Sequence, residues 1–135
     1  MANEAVLINE IDRPLSFKVA DGTAITKGSI LKLTNPRTAI ITSAAQDILA
    51  GIAWGDKIAS DGVTQLAVYR KGVFRMYCSG SVTTGDMLVT DTFPNFVKLA
   101  PALTSGSQFI GMALQDGTTG QQIEVLVSVG SVSRV

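Results

Sequence analysis

The feature that most constrains this chain is that it is written twice. Ile48 to Gly72 reads ILAGIAWGDKIASDGVTQLAVYRKG, and Phe109 to Gly130 reads FIGMALQDGTTGQQIEVLVSVG. Gly51-Ile52-Ala53-Trp54 aligns with Gly111-Met112-Ala113-Leu114, and a polar turn ending at Gly62 or Gly120 follows each. The two strands then run in step to Gly72 and Gly130. The match extends backward, where Ile25-Thr26-Lys27-Gly28-Ser29-Ile30-Leu31 lies beside Val82-Thr83-Thr84-Gly85-Asp86-Met87-Leu88, and both blocks reach a proline turn, at Pro36 and Pro94. An internal repeat decides architecture before any single element does, and two copies are too few for a solenoid. The expectation is an all-β fold, a small barrel or sandwich built from two sequence-related β-units at about 22–76 and 80–132, with an extended N-terminal arm. Residues 1–21 are read as that arm and a first strand, and 22–135 as a single β-domain.

Local pattern supports the β assignment. Leu15-Ser16-Phe17-Lys18-Val19 alternates apolar and polar, as a half-buried strand does. Ile30 to Thr34, Ala39 to Thr42, Ile48 to Trp54, Met87 to Val89, Phe96 to Leu99, Phe109 to Leu114 and Ile123 to Val129 read as further strands between glycine and proline turns. Val63 to Tyr69 and Val73 to Tyr77 look like a hairpin turning at Arg70-Lys71-Gly72. Gly51 marks a bulge or a close backbone approach. One helical turn is allowed at Ser43 to Gln46, and Ala100 to Gln108 reads as a flexible linker. In the arm, Val6-Leu7-Ile8 is a short apolar patch, and Pro14 limits helix. It either adds a strand to a neighbour's sheet edge or forms the first strand of the protein's own sheet.

Charge is balanced overall but not along the chain, at net −2 over residues 1–21, +4 over 22–79 and −2 over 80–135. Zero net charge gives no global field toward nucleic acid or an anionic membrane. A basic half beside an acidic half suits a head-to-tail contact between identical subunits. Only 16% of residues are charged, which suggests that a partner covers some surface. A single cysteine excludes an internal disulfide framework and favours a reducing compartment. No apolar run approaches the roughly 20 residues that span a bilayer, and the start lacks the order of a secretory signal.

Chemistry is hard to find. There are no histidines, which removes the commonest general base and most zinc sites. Cys78 therefore has no histidine partner and reads as a small core residue. Asp47, Asp56 and Asp61 surround one turn without the alternating ligands of a calcium loop. Asp86 and Asp91 flank a strand with nothing to define a cleft between them. Gly80 to Gly85 lacks the third glycine, the lysine and the helix of a phosphate loop. Arg70, Lys71 and Arg75 interleave with Tyr69, Phe74 and Tyr77 as a single-strand platform would, although strand alternation buries some of those aromatics. No catalytic, metal or cofactor residue is assigned.

Thr84-Gly85-Asp86-Met87-Leu88, Ile110-Gly111-Met112-Ala113-Leu114 and the strand from Gly120 to Val127 together resemble the small capsid decoration (cement) proteins of tailed bacteriophages. The resemblance covers about 22–130. This chain departs from the family in a longer N-terminal arm and a more basic turn at Arg70-Lys71. The resemblance implies a non-enzymatic virion protein, made in the host cytoplasm. It would bind the major capsid protein on the outer surface of an expanded capsid, often as a trimer, with no nucleic-acid, membrane or cofactor partner. Glu4, Val6, Leu7, Ile8, Glu10 and Arg13 are then the expected capsid-binding arm, loose in solution and ordered on the shell. Arg70, Lys71 and Arg75 are the expected subunit or capsid contact, and subunits should meet through an apolar β-face. Two other readings stand beside this one. One is a tail or baseplate structural subunit. The other is a biotinyl- or lipoyl-type carrier module, whose modified lysine would be Lys57 in Asp56-Lys57-Ile58-Ala59.

Overall fold

The computed structural model describes residues 4–43, 48–91, 95–100 and 108–131. Among these there is no helix. Eleven strands are present: β1 (Val6–Glu10), β2 (Leu15–Lys18), β3 (Ile30–Asn35), β4 (Thr38–Ile41), β5 (Leu49–Ala53), β6 (Gln65–Tyr69), β7 (Lys71–Cys78), β8 (Met87–Thr90), β9 (Phe96–Leu99), β10 (Gln108–Ala113) and β11 (Gln122–Ser131). Residues 44–47, 92–94 and 101–107 lie outside the described residues. All but Ser43 of the helical turn read at Ser43 to Gln46, together with Asp47, Pro94 and most of the Ala100 to Gln108 linker, fall there.

The duplication becomes two closed barrels of the same topology. Barrel 1 is β2-β4-β3-β5-β6. Barrel 2 is β7-β9-β8-β10-β11, closed by the β7–β9 pairing and extended by β1 on the edge of β7. In both, the first strand runs parallel to the third, through Lys18↔Thr38 in one and Tyr77↔Phe96 in the other. All other pairings are antiparallel. The equivalence reaches single hydrogen bonds: the amides of Gly28 and Gly85 donate to Ala53 O (3.0 Å) and Ala113 O (2.8 Å). The amides of Lys27 and Thr84 donate to Asp56 Oδ1 and Asp116 Oδ1, both at 2.7 Å. The non-glycine residues Arg37 (φ 52°) and Asn95 (φ 70°) take the same left-handed turn before β4 and β9.

Each unit starts one strand earlier than the glycine-anchored match indicates, with β2 lying ahead of residue 22 and β7 beginning at Lys71, inside 22–76. The hairpin read across Arg70-Lys71-Gly72 does not form. Both edges of β6 are taken, by β2 and β5, in closing barrel 1, so the chain leaves at Arg70 and β7 opens barrel 2.

Two apolar clusters follow. Phe17, Val19, Ile25, Leu31, Ala39, Leu66 and Val68 fill barrel 1. Phe74, Met76, Leu88, Val97, Ile110, Ile123, Val125 and Val127 fill barrel 2, and that cluster continues without a break into Ile30, Leu49, Ile52 and Tyr69 of barrel 1. One foot of barrel 2 therefore stands on the outer face of barrel 1. Tyr69 and Phe74 meet edge to face there at 5.6 Å, and Asn95 Oδ1 accepts from the Ile30 amide at 2.9 Å. Each side chain of this size taken out of water contributes about 1.5–3 kcal/mol, so the barrels are joined by core packing.

The opposite end of barrel 1 is closed by a charge. The Lys57 side chain has 0% exposure, and its Nζ lies 2.9 Å from Asp61 Oδ1 and 3.4 Å from Asp21 Oδ1. It also donates to Asp21 O and Ile58 O, each at 2.9 Å. Barrel 2 closes the equivalent end with the buried Cys78 thiol, which donates to Thr118 O at 3.0 Å, and Gly117 takes the lysine's place. Burial opposes the ammonium charge, but the hydrogen bonds it donates to the Asp61 and Asp21 carboxylates outweigh this and raise the Lys57 pKa. Asp61 is lowered, first by the Lys57 bond and then by the Val63 amide. The sign follows by linkage. The Asp61 contribution is complete above the ordinary carboxylate value of 3.8 and is lost as pH falls through the lower folded value. The Lys57 contribution is complete below 10.5 and is lost as pH rises through the higher folded value. Thermal midpoints of Lys57→Met followed across pH should be lower than wild type between these limits, with flattened acid and alkaline limbs. A variant whose pH profile parallels wild type would show that Lys57 does not hold this end.

Candidate functional site

With both barrels closed, β1 is the one described strand that has a neighbour on a single side in the strand order. It pairs with β7 from Val6↔Arg75 to Glu10↔Gly72, with a bulge between Leu7 and Asn9. The expected arm thus forms a strand of the protein's own sheet. All five residues are exposed, Val6 at 49%, Leu7 at 36% and Ile8 at 38%. An apolar free edge is a template for pairing with another chain. Acidic residues lie at both ends, Glu4 before the strand, Glu10 as its last residue and Asp12 after it.

Two contacts fix β1 across both barrels. The Ala5 amide donates to Gly28 O at 2.8 Å. A Cβ on Gly28 would collide with Ala5 O, and Gly28 holds φ 88°, so position 28 needs glycine for both reasons. At the other end, Glu10 hydrogen-bonds the Tyr69 hydroxyl. Burial first, and this carboxylate second, push the Tyr69 pKa up. A cleft of about 560 Å³ opens between β1 and the barrel junction, lined by Glu4, Val6, Leu7, Lys27, Trp54 and Tyr69 among others. Trp54 is 51% exposed at its rim.

The basic residues divide into two places. Arg70 donates to Ala50 O at 3.2 Å, and Arg70 and Lys71 join Arg13, Asp12 and Leu15 around a second cleft of about 480 Å³. Arg75 lies away from it on the outer face of barrel 2, opposite Val6 on one side and Glu124 on the other. Tyr69 and Phe74 are buried at the junction of the two barrels, so they present no faces for stacking bases.

The other singled-out residues are occupied structurally. Asp56 caps the Lys27 amide, while Asp61 and Asp21 hold Lys57. Asp116 accepts from the Thr84 amide and hydroxyl, which lower its pKa in that order. Burial pushes the Cys78 thiol up, as for an inert core group. Lys57 is enclosed and cannot serve as the exposed lysine of a carrier module. No group of three or more potential metal ligands occurs among the described residues. No helix among them is long and apolar enough to cross a membrane. Sequence reasoning missed Trp54 and Leu15 as exposed apolar residues. Leu15 opens an ordinary alternating strand and Trp54 ends a continuous apolar run, and only barrel closure shows which side faces out. No family model and no curated protein matches the chain.

Proposed function

We propose that this protein is a structural virion component that binds the outer surface of a phage capsid and stabilises it, acting as a homo-oligomer, specifically a trimer. The observation that carries the reading is β1, an exposed apolar strand added to the edge of β7 outside two closed barrels. Such an edge gains affinity by main-chain pairing and register from its alternating side chains. Glu4, Glu10 and Asp12 favour a shell surface bearing lysine or arginine. The rest of the molecule suits a brace. Its core is continuous between barrels, and its turn carboxylates are engaged in capping amides or holding Lys57. The resemblance of Thr84 to Leu88 and Ile110 to Leu114 to capsid decoration proteins supports this reading.

The test is co-sedimentation with expanded, undecorated capsids of the parent phage. Saturable binding that raises the capsid's resistance to heat is the expected result. A folded protein that leaves capsids unaltered, and sediments instead with tails, would reassign it to the tail.

A further inference from the structure

Within one chain, barrel 2 stands on a particular row of barrel 1. Ile30, Ile52 and Tyr69 pair in register across β3, β5 and β6, on the outside of barrel 1. They are 0%, 0% and 6% exposed because the foot of barrel 2 covers them. The same row recurs on barrel 2, where Met87, Met112 and Leu126 pair in register across β8, β10 and β11. No described residue covers this second row in the same way, and its three side chains are only half-buried.

The complementary surface is also duplicated. The foot of barrel 2 is led by Phe74, which pairs with Val125. The equivalent residue of barrel 1 is Leu15, which pairs with Val68 and is 46% exposed. Each chain therefore carries one open row and one open foot, of the kinds already joined inside it. Their charges match. Arg13, Arg70 and Lys71 outnumber Asp12 beside Leu15, whereas Asp86 and Glu124 flank the row, next to Met87 and across from Arg75.

We infer that the foot of barrel 1 in one copy docks on the Met87–Met112–Leu126 row of barrel 2 in the next, repeating the intrachain step. The contact is heterologous, so successive copies close into a ring when the rotation permits and otherwise extend as a filament. Arg37 stands where Asn95 stands, so the hydrogen bond to Ile30 is not repeated, and the intermolecular step is weaker than the internal one. The inference rests on the pseudo-symmetry of the two units and holds whether or not the capsid assignment does.

Two single variants test it in solution, without capsids: Met112→Asp closes the row and Leu15→Asp closes the foot. The wild-type chain should be an oligomer by sedimentation velocity, and each variant should be a folded monomer by sedimentation and circular dichroism. Mixing the two should restore a dimer and nothing larger, because one partner keeps the foot and the other the row. A wild-type monomer at the highest soluble concentration overturns the proposal, as does a pair of folded variants that stay monomeric when mixed. Should Met112→Asp fail to fold, Met87→Lys on the same row replaces it. A mixture containing dimer only when both chains carry Met112 would reveal a row-to-row contact and also overturn it.

Discussion

Gly51→Ala should destabilise the protein by at least about 3 kcal/mol, and Gly111→Ala by somewhat less. At each position a Cβ would run into a carbonyl oxygen of the neighbouring strand, that of Tyr69 for Gly51 and that of Leu126 for Gly111. Neither obstacle is a flexible side-chain end. Relief requires moving a strand, and overpacking of this kind costs about 1–3 kcal/mol or more. Gly51 also has φ 144°, outside the range of L side chains, which adds roughly 1–3 kcal/mol of backbone strain. Total stabilities are about 5–15 kcal/mol, so the first substitution removes a large share. Gly22→Ala is the control, since a Cβ there meets nothing within 4 Å, and it should be nearly neutral. Urea unfolding would compare the three. A Gly51→Ala protein as stable as Gly22→Ala would mean that β5 and β6 do not approach as described.

These glycines explain what the chain reveals before folding. Gly51 and Gly111, and Gly28 and Gly85, recur because backbone approaches or left-handed turns exclude other residues. They mark the repeat with an identity that side-chain packing would not enforce. The opening strands carry no such mark. Leu15-Ser16-Phe17-Lys18 and Phe74-Arg75-Met76-Tyr77 occupy equivalent ladder positions yet share only alternation, which many residue pairs satisfy. The unit boundaries therefore shift by one strand between sequence and structure, and a hairpin read across Arg70 becomes a crossing between barrels.

The candidate surfaces were less legible, for a different reason. Ile30-Ile52-Tyr69 and Met87-Met112-Leu126 are both apolar rows on outward positions, and periodicity cannot say which of them a neighbour covers. That depends on where the foot of barrel 2 lands, a contact made across distant strands. Lys57 fails in the opposite direction. A lysine between Asp56 and Asp61 in a polar turn reads as solvated, and only barrel closure places it inside with its carboxylates.

Deleting residues 2–12 should abolish capsid binding while leaving both barrels folded. Barrel 2 closes through β7 and β9 without β1, and barrel 1 does not include it. Every residue of β1 is exposed, so the strand contributes less to stability than any core strand. What the deletion removes from the folded core is chiefly Ala5, at 8% exposure, and the Glu10 bond to Tyr69. Far-UV circular dichroism should stay β-rich, with a modestly lower thermal midpoint. Co-sedimentation with expanded capsids should fall to background, because the free edge of β7 left behind is shorter and bears Lys71 and Arg75 instead of an apolar patch. Retained binding would assign the shell contact to the barrels and leave β1 as a structural strap. A milder variant separates pairing from side-chain burial. Ile8→Pro removes an amide at the bulge of the free edge, and such an edge tolerates proline within the fold. If β1 binds by strand addition, this one lost donor should weaken capsid binding many-fold with the fold intact. Val6→Thr, which keeps the amide and the β-branch, should weaken it far less.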